Sequence, residues 1–323
     1  MTVTRTLLRP DQVSPETRDR VEGAIATLGY VPDRAAGSLS TRRSGFIGLI
    51  LPTLSNGNFA AMAEGLTDAI RPDGFELLIG HTRYGIDEDE RQIRTILQRR
   101  PEALILTATT HAASVRRLVA NAAIPIIEIA DLPAEPIGQV IGFSNHDVGV
   151  AAARHLLSLG HRRVAALGPE RTSTRIDTRG EARLDGFAMA LREAGLSTAL
   201  VRAAAEIPVS FEQGARAMAS LLADAPDVTA VFAISDLLAV GAMMECHRRG
   251  VAIPAALSLI GFGDFEIGRQ VLPPLTTIGV DFRSLGEDAG RMVTALLSKG
   301  IAIPDRSDVG FRLIERRTTA RRS

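Results

Sequence analysis

The sequence predicts an α/β protein of two lobes, each built on a parallel sheet, preceded by a small, partial all-α piece. Three observations lead there. From Phe46 onward short apolar runs alternate with amphipathic segments, the pattern of parallel strands joined by helices. That series occurs twice in tandem, without the fixed period of a solenoid. Ahead of it stand two short helical patterns punctuated by Pro10, Pro15 and Pro32.

Composition narrows the function classes. The 323 residues carry 37 basic and 37 acidic side chains, so any nucleic-acid contact must be local rather than a property of the whole surface. Lys299 is the single lysine and Cys246 the single cysteine. No intrachain disulfide can form, and a reducing compartment is the simpler expectation. No apolar run reaches signal-peptide length near Met1 or the roughly twenty residues of a membrane span, so a cytoplasmic chain without a membrane partner is expected.

In chain order, Thr2 to Leu8 has the composition of a short helix, with Val3, Leu7 and Leu8 at helical spacing. Ser14-Pro15-Glu16-Thr17 then places Ser at N-cap, Pro at N1 and an acid in the first turn of a helix through Val21 and Ile25 to Leu28, closed by Gly29. Two such helices cannot bury a core alone. In Tyr30 to Leu39, Pro32 stops the preceding helix and Asp33 can cap one or two further turns ending at Leu39. A helix that short is marginal in water, which makes the segment a hinge whose order depends on an outside partner.

The first βα series has strands at Phe46–Pro52, Phe75–Gly80, Ala103–Thr107 and Ile124–Ala130, with helices around Phe59–Ile70, Asp87–Arg99 and Ala112–Asn121. The second has strands at Arg163–Gly168, Leu200–Ala205, Thr229–Ser235 and Ser258–Phe262, with helices around Gly180–Gly195, Phe211–Ala223 and Leu237–Gly250. Pro273-Pro274-Leu275-Thr276-Thr277-Ile278 reads as a crossover to the first lobe, followed by a helix near Leu285–Ser298 and a last strand near Phe311–Arg316.

Several short motifs, in order and at fixed spacing, carry a family resemblance. Thr2, Val3, Arg5 and Leu7, then Val13, Ser14, Thr17 and Arg18, then Leu28, Tyr30, Pro32, Ala36 and Leu39 match the headpiece pattern of the lactose-repressor and galactose-repressor family of bacterial transcription regulators. Thr4 replaces the usual Ser. The resemblance begins at the recognition helix, whereas family members carry a further helix and turn before it. A truncated helix-turn-helix is therefore expected, and with it lost DNA affinity unless the headpiece is completed.

The resemblance implies DNA contacts from Thr2, Val3, Arg5, Tyr30, Ala36 and Leu39, with Leu39 wedged in the minor groove. PPLTTI is a hallmark of the same family, and the remainder resembles its two-lobed, type I periplasmic-binding-protein-like effector core. The implied organisation is a partial headpiece over 1–31, a hinge over 32–44 and a core over 45–323. The N-lobe would span about 45–145 plus 276–303, and the C-lobe about 146–275 plus 304–318. No leucine heptads follow the last strand, so a homodimer is expected.

Ligands of parallel sheets bind beyond the carboxyl ends of the strands. Candidates there are Phe59, His81, Thr107, His111, Glu128 and Asp131 in the first lobe. In the second they are Arg179, Arg183, Phe211, Ser235, Asp236 and Asp264. Guanidinium groups with carboxylates and aromatics suit a polyhydroxylated anion, because Arg holds a carboxylate bidentately and a ring covers an apolar face. By resemblance, Arg183 in ARLDGF stands where family members clamp the effector. Gly263 stands where members that bind neutral sugars commonly carry Asp. GHTRYGIDEDE, LILTATTH, IIEIADLP and GFGDFEIG look most like the gluconate-repressor branch, which implies a sugar acid such as gluconate.

Other classes have less support. A transport solute-binding protein shares the core but predicts a signal peptide and no hinge. An enzyme would need a motif that is absent: no P-loop, no G-x-S-x-G and no dinucleotide-binding glycine pattern after the first strand occur. His81 and His111 lack metal-ligand spacing, so neither metal nor cofactor is expected. An effector-binding module or cytoplasmic sugar-binding protein without DNA affinity stays open beside the repressor reading.

Overall fold

The computed structural model describes residues 3, 5–6, 10–30, 44–107, 110–298 and 303–322. They form two compact units, Met1–Ser44 and Gly45–Ser323. The expected DNA contacts Thr2, Ala36 and Leu39, and hinge residues 32–43, lie outside the described residues.

In the first unit, helix α1 (Pro15–Leu28) starts where its capping chemistry is densest. The Ser14 hydroxyl accepts the Thr17 N–H at 3.4 Å, and Pro15 takes the first turn. Gly29, at φ 57°, ends it by returning its N–H to Ala26. No residue of α1 is buried, as the sequence of a short two-helix piece leads one to expect. Val3, Arg5 and Tyr30 are exposed.

The second unit holds two six-stranded sheets. The first, in the order β11-β5-β4-β3-β1-β2, contains β1 (Phe46–Leu51), β2 (Glu76–His81), β3 (Ala103–Leu106), β4 (Ile126–Ile129), β5 (Gln139–Gly142) and β11 (Arg306–Asp308). All its pairings are parallel. Helices α2 (Gly57–Ile70), α3 (Ile86–Leu97) and α4 (Ala113–Ala122) join its strands. Alternate residues of β1 serve different faces: Ile47, Leu49 and Leu51 join the main core, and Ile50 joins a second core with Ile93 of α3 and Val115 of α4. A strand apolar on both faces is what a sheet covered by helices on both sides requires.

The second sheet runs β12-β10-β9-β8-β6-β7. Its strands are β6 (Val164–Pro169), β7 (Val201–Ala205), β8 (Ala230–Ala233), β9 (Ser258–Phe262), β10 (Thr276–Gly279) and β12 (Arg312–Ile314). Only β12 is antiparallel to its neighbour. Its helices are α5 (Asn145–Ser158), α6 (Thr178–Glu193), α7 (Phe211–Asp224), α8 (Asp236–Arg248) and the short α9 (Glu266–Gln270), and α10 (Phe282–Leu297) returns to pack on α2.

Two assignments differ from the sequence-based organisation. Thr276–Gly279 pairs with β9 in the second sheet, so the chain crosses after Gly279 rather than at PPLTTI. Residues 306–308 belong to the first sheet and the chain crosses back only before β12. Strand β5 and helix α5 were not anticipated. QVIG is only four residues long, and α5 is rich in Ala and Gly because it lies close against α6. A Cβ on Gly186 would stand 1.9 Å from the His146 carbonyl oxygen, and one on Gly149 1.9 Å from that of Arg183. Facing glycines set the same close approach for α2 with α10 at Gly65 and Gly286.

Candidate functional site

The carboxyl ends of both sheets face one another across a cleft, and the sequence reason is the position of β5 and β10: each ends at a crossing between lobes. Bonds from both sides hold the cleft closed. Asn58 Nδ2 donates to the Gly263 carbonyl at 3.0 Å. Residues 84–86 and 174–176 form an antiparallel bridge, with Ile86 N–H on Thr174 O and Ile176 N–H on Tyr84 O, both at 3.0 Å. Arg83 and Tyr84, at φ 51° and 62°, turn the chain into that bridge through the left-handed region, uncommon for side chains of this size.

Two guanidinium groups occupy the centre. Asp177 caps α6 by accepting the Gly180 N–H at 3.1 Å, which sets Arg179 and Arg183 one turn apart on the face toward the first lobe. Arg179 donates to the Thr107 carbonyl at 2.6 Å and lies 5.2 Å over the ring of Phe59. Arg183 lies 4.4 Å over the ring of Phe262 and donates to Asn145 Oδ1. Its Nε is buried with no hydrogen-bond partner. Burial lowers the Arg183 pKa to about 10, so it stays charged at neutral pH without a carboxylate bonded to it. Burial, reinforced by the nearby Asp177 carboxylate, pushes the Tyr84 hydroxyl well above its usual range and keeps it a neutral donor.

Beside these groups is a cavity of about 40 Å³ walled by Phe59, Asn145, Arg179, Arg183, Ser235 and Phe262, among others. A larger chamber of about 720 Å³ lies outward, touching Thr107, His111 and Arg179. The His111 ring is enclosed by two carboxylates, 3.3 Å from Asp89 Oδ2 and 3.4 Å from Glu128 Oε1. Burial opposes its charging, but the two carboxylates overcome that and raise its pKa to about 9. The Glu128 contact has ion-pair distance without hydrogen-bond alignment.

Of the sequence candidates, Phe59, Thr107, His111, Arg179, Arg183 and Ser235 thus line the two chambers. The rest do not. His81 ends β2 outside both walls, and Asp131 accepts from Asn145 Nδ2 behind the cavity at 3.0 Å. Glu128 is fully buried and accepts the Ile137 N–H at 2.7 Å. Phe211 begins a surface helix and is 41% exposed, while Val209 two residues earlier supplies the wall. Asp236 is consumed internally, accepting from Thr277 Oγ1 at 2.7 Å and the Phe265 N–H at 2.9 Å, and burial pushes its pKa up to about 7. Asp264 is ion-paired with Arg269 and Arg316.

Sequence reasoning missed Tyr84, Asn145, Asp177 and Phe262 as wall residues. Asn145 follows β5, so recognising that strand would have found it; Asp177 had the N-cap position ahead of ARLDGF as its signal. Among the described residues no group of three or more His, Cys, Asp and Glu could hold a metal ion, and no helix is long and apolar enough to cross a membrane.

Residues 1–33 match the bacterial regulatory proteins of the lacI family, and residues 153–319 match a periplasmic binding protein-like domain. The HTH-type transcriptional regulator GntR of Pseudomonas aeruginosa is 33% identical over 99% of this chain and 92% of its own length. The crystal structure of transcription regulator GntR from Chromobacterium violaceum aligns at a TM-score of 0.79 with 32% identity, covering 85% of this chain and 99% of that one. The lac repressor dimer bound to operator and the anti-inducer ONPF aligns at 0.84 with 26% identity, over 99% of this chain and 94% of that one. A capped headpiece helix, two lobes closed on a basic cleft, and regulators as relatives along nearly the whole length place the chain in the lacI family, as a DNA-binding transcriptional regulator and not an enzyme.

Proposed function

We propose that the chain is a repressor of sugar-acid metabolism whose effector, an aldonate of the gluconate type, binds between the lobes and alters operator affinity through residues 32–44. The observation that carries this reading is the buried Arg179–Arg183 pair, with the Arg183 Nε lacking a partner at the wall of the cavity. A buried cation without a bonded carboxylate is costly unless a ligand supplies one, and an Arg fork is the geometry that recognises carboxylates. Phe59 and Phe262 stack on the guanidiniums, while Ser235 and Tyr84 offer groups for hydroxyls. The resemblance to the gluconate-repressor branch supports an aldonate over other carboxylates.

On this reading Thr2, Val3, Arg5, Tyr30, Ala36 and Leu39 contact the operator, and the working form is a cytoplasmic homodimer. An effector that favours the closed lobes shifts the protein between states of different operator affinity, to the extent of its differential binding. Calorimetry with gluconate and glucose, paired with an operator gel shift, tests it. Gluconate should bind, glucose should not, and gluconate should release a retarded DNA band; equal binding of the two sugars refutes the carboxylate clamp. Gluconate binding without any retarded band identifies an effector-binding module without DNA affinity.

A further inference from the structure

The two chambers differ in what they can hold. The inner cavity, about 40 Å³, has room for about three waters at ~10–15 Å³ each. It admits a carboxylate and the first hydroxyl-bearing carbons beside it but not a whole six-carbon chain. The outer chamber, about 720 Å³, has the size of a complete small-molecule site, ~300–1,000 Å³. Tyr84, Asp177 and Arg179 belong to both walls, so one ligand can pass from one to the other.

The outer chamber also has a definite chemistry. Most of its charges are matched in place: Arg91 with Glu88, Arg94 with Glu90, Arg171 with Glu181, and His111 between Asp89 and Glu128. Apart from Arg179, which the carboxylate of the ligand takes, each arginine of the lining is paired with a carboxylate. Thr110 supplies a hydroxyl, Thr82 supplies one that accepts the Tyr84 N–H at 3.2 Å and still has a proton to donate, and Ile86, Val115 and Ile176 supply an apolar strip. Hydroxyl partners beside an apolar strip suit the edge and the face of a sugar ring. Ile86 and Ile176 flank the backbone bridge that joins the lobes, so a ring bound there touches both.

We propose that the outer chamber is a subsite for a neutral glycosyl unit, so that the ligand is an aldobionic acid, a sugar acid carrying a second sugar. The carboxylate meets Arg179 and Arg183 while the glycosyl unit fills the outer chamber. This inference rests on the sugar-acid reading above.

Calorimetry on the full chain with gluconate, lactobionate, maltobionate and lactose tests it. At least one of the two disaccharide acids should bind tenfold or more tighter than gluconate, and lactose at least 100-fold weaker than that acid. Ile86→Trp, which fills the outer chamber, should bring the preference over gluconate close to parity; Thr110→Trp serves the same purpose if the first variant does not fold. If gluconate binds as tightly as both disaccharide acids, or the preference survives a folded filling variant, the subsite is overturned and the sugar-acid reading stands. If no acid binds, or lactose equals the acids, both readings fall.

Discussion

Arg183→Met should cost ligand affinity far more than it costs stability. Methionine keeps much of the length and apolar stem of arginine but carries no charge. Burial lowers the Arg183 pKa from 12.5 to about 10. At about 1.4 kcal/mol per tenfold, that is about 3 kcal/mol by which folding disfavours the cation. Methionine loses the bond to Asn145 Oδ1, made by a charged group, and the buried stacking on Phe262, together about 2–4 kcal/mol. The two nearly cancel, leaving the unliganded variant within about 1 kcal/mol of the parent, a Tm within roughly 4 °C for a unit of this size. Binding of gluconate should fall, because a charge-assisted fork to a carboxylate is worth about 2–4 kcal/mol, or roughly 30- to 1,000-fold. Scanning calorimetry of the empty protein and titration with gluconate read both quantities. Unchanged affinity, or a Tm lowered by more than about 8 °C, would refute the account of Arg183 as an anion clamp whose contacts in the fold are nearly offset by the cost of burying it, the stability–function exchange common at binding sites.

Three further perturbations follow from the same geometry. Asp236 has its folded pKa raised from 3.8 to about 7, so the folded state holds the extra proton and stability falls as pH climbs between those values; Asp236→Asn should gain on the parent by about 2 kcal/mol between pH 5.5 and 8, checked by urea unfolding, and a pH-independent difference would count against burial as the cause. His111 has its pKa raised from 6.5 to about 9, so its contribution is complete below 6.5 and is lost as pH rises through about 9. His111→Gln should flatten that part of the stability profile, and NMR of the parent ring should show it protonated at pH 7.5. Gly186→Ala would push a Cβ to 1.9 Å from the His146 carbonyl and force α5 from α6, costing about 2–4 kcal/mol; a Tm within 2 °C of the parent would show that the pair can separate freely.

Much of this protein follows from residue order alone. The strand runs FIGLIL, ALIL and SLIGF are apolar on both faces, which only a sheet covered on both sides accommodates, so the α/β class and two tandem series were legible. Ser14-Pro15 and Gly29 bounded the headpiece helix because capping is local chemistry. ARLDGF and the carboxyl-end rule brought forward Arg179, Arg183 and Phe59. What tertiary structure decided is whatever depends on contacts between distant residues. Strand β5 is too short to announce itself and exists because β4 and β11 flank it, and Asn145 reaches the cavity only at its end. Asp236 and Asp264 had the composition of ligand contacts, yet Thr277 and Phe265 occupy one and Arg316 and Arg269 the other, partners 29 to 52 residues away except for Arg269. Local propensities and periodicity are written within a few residues and can be read there; the partner that satisfies a buried charge is chosen by the packing of the whole chain.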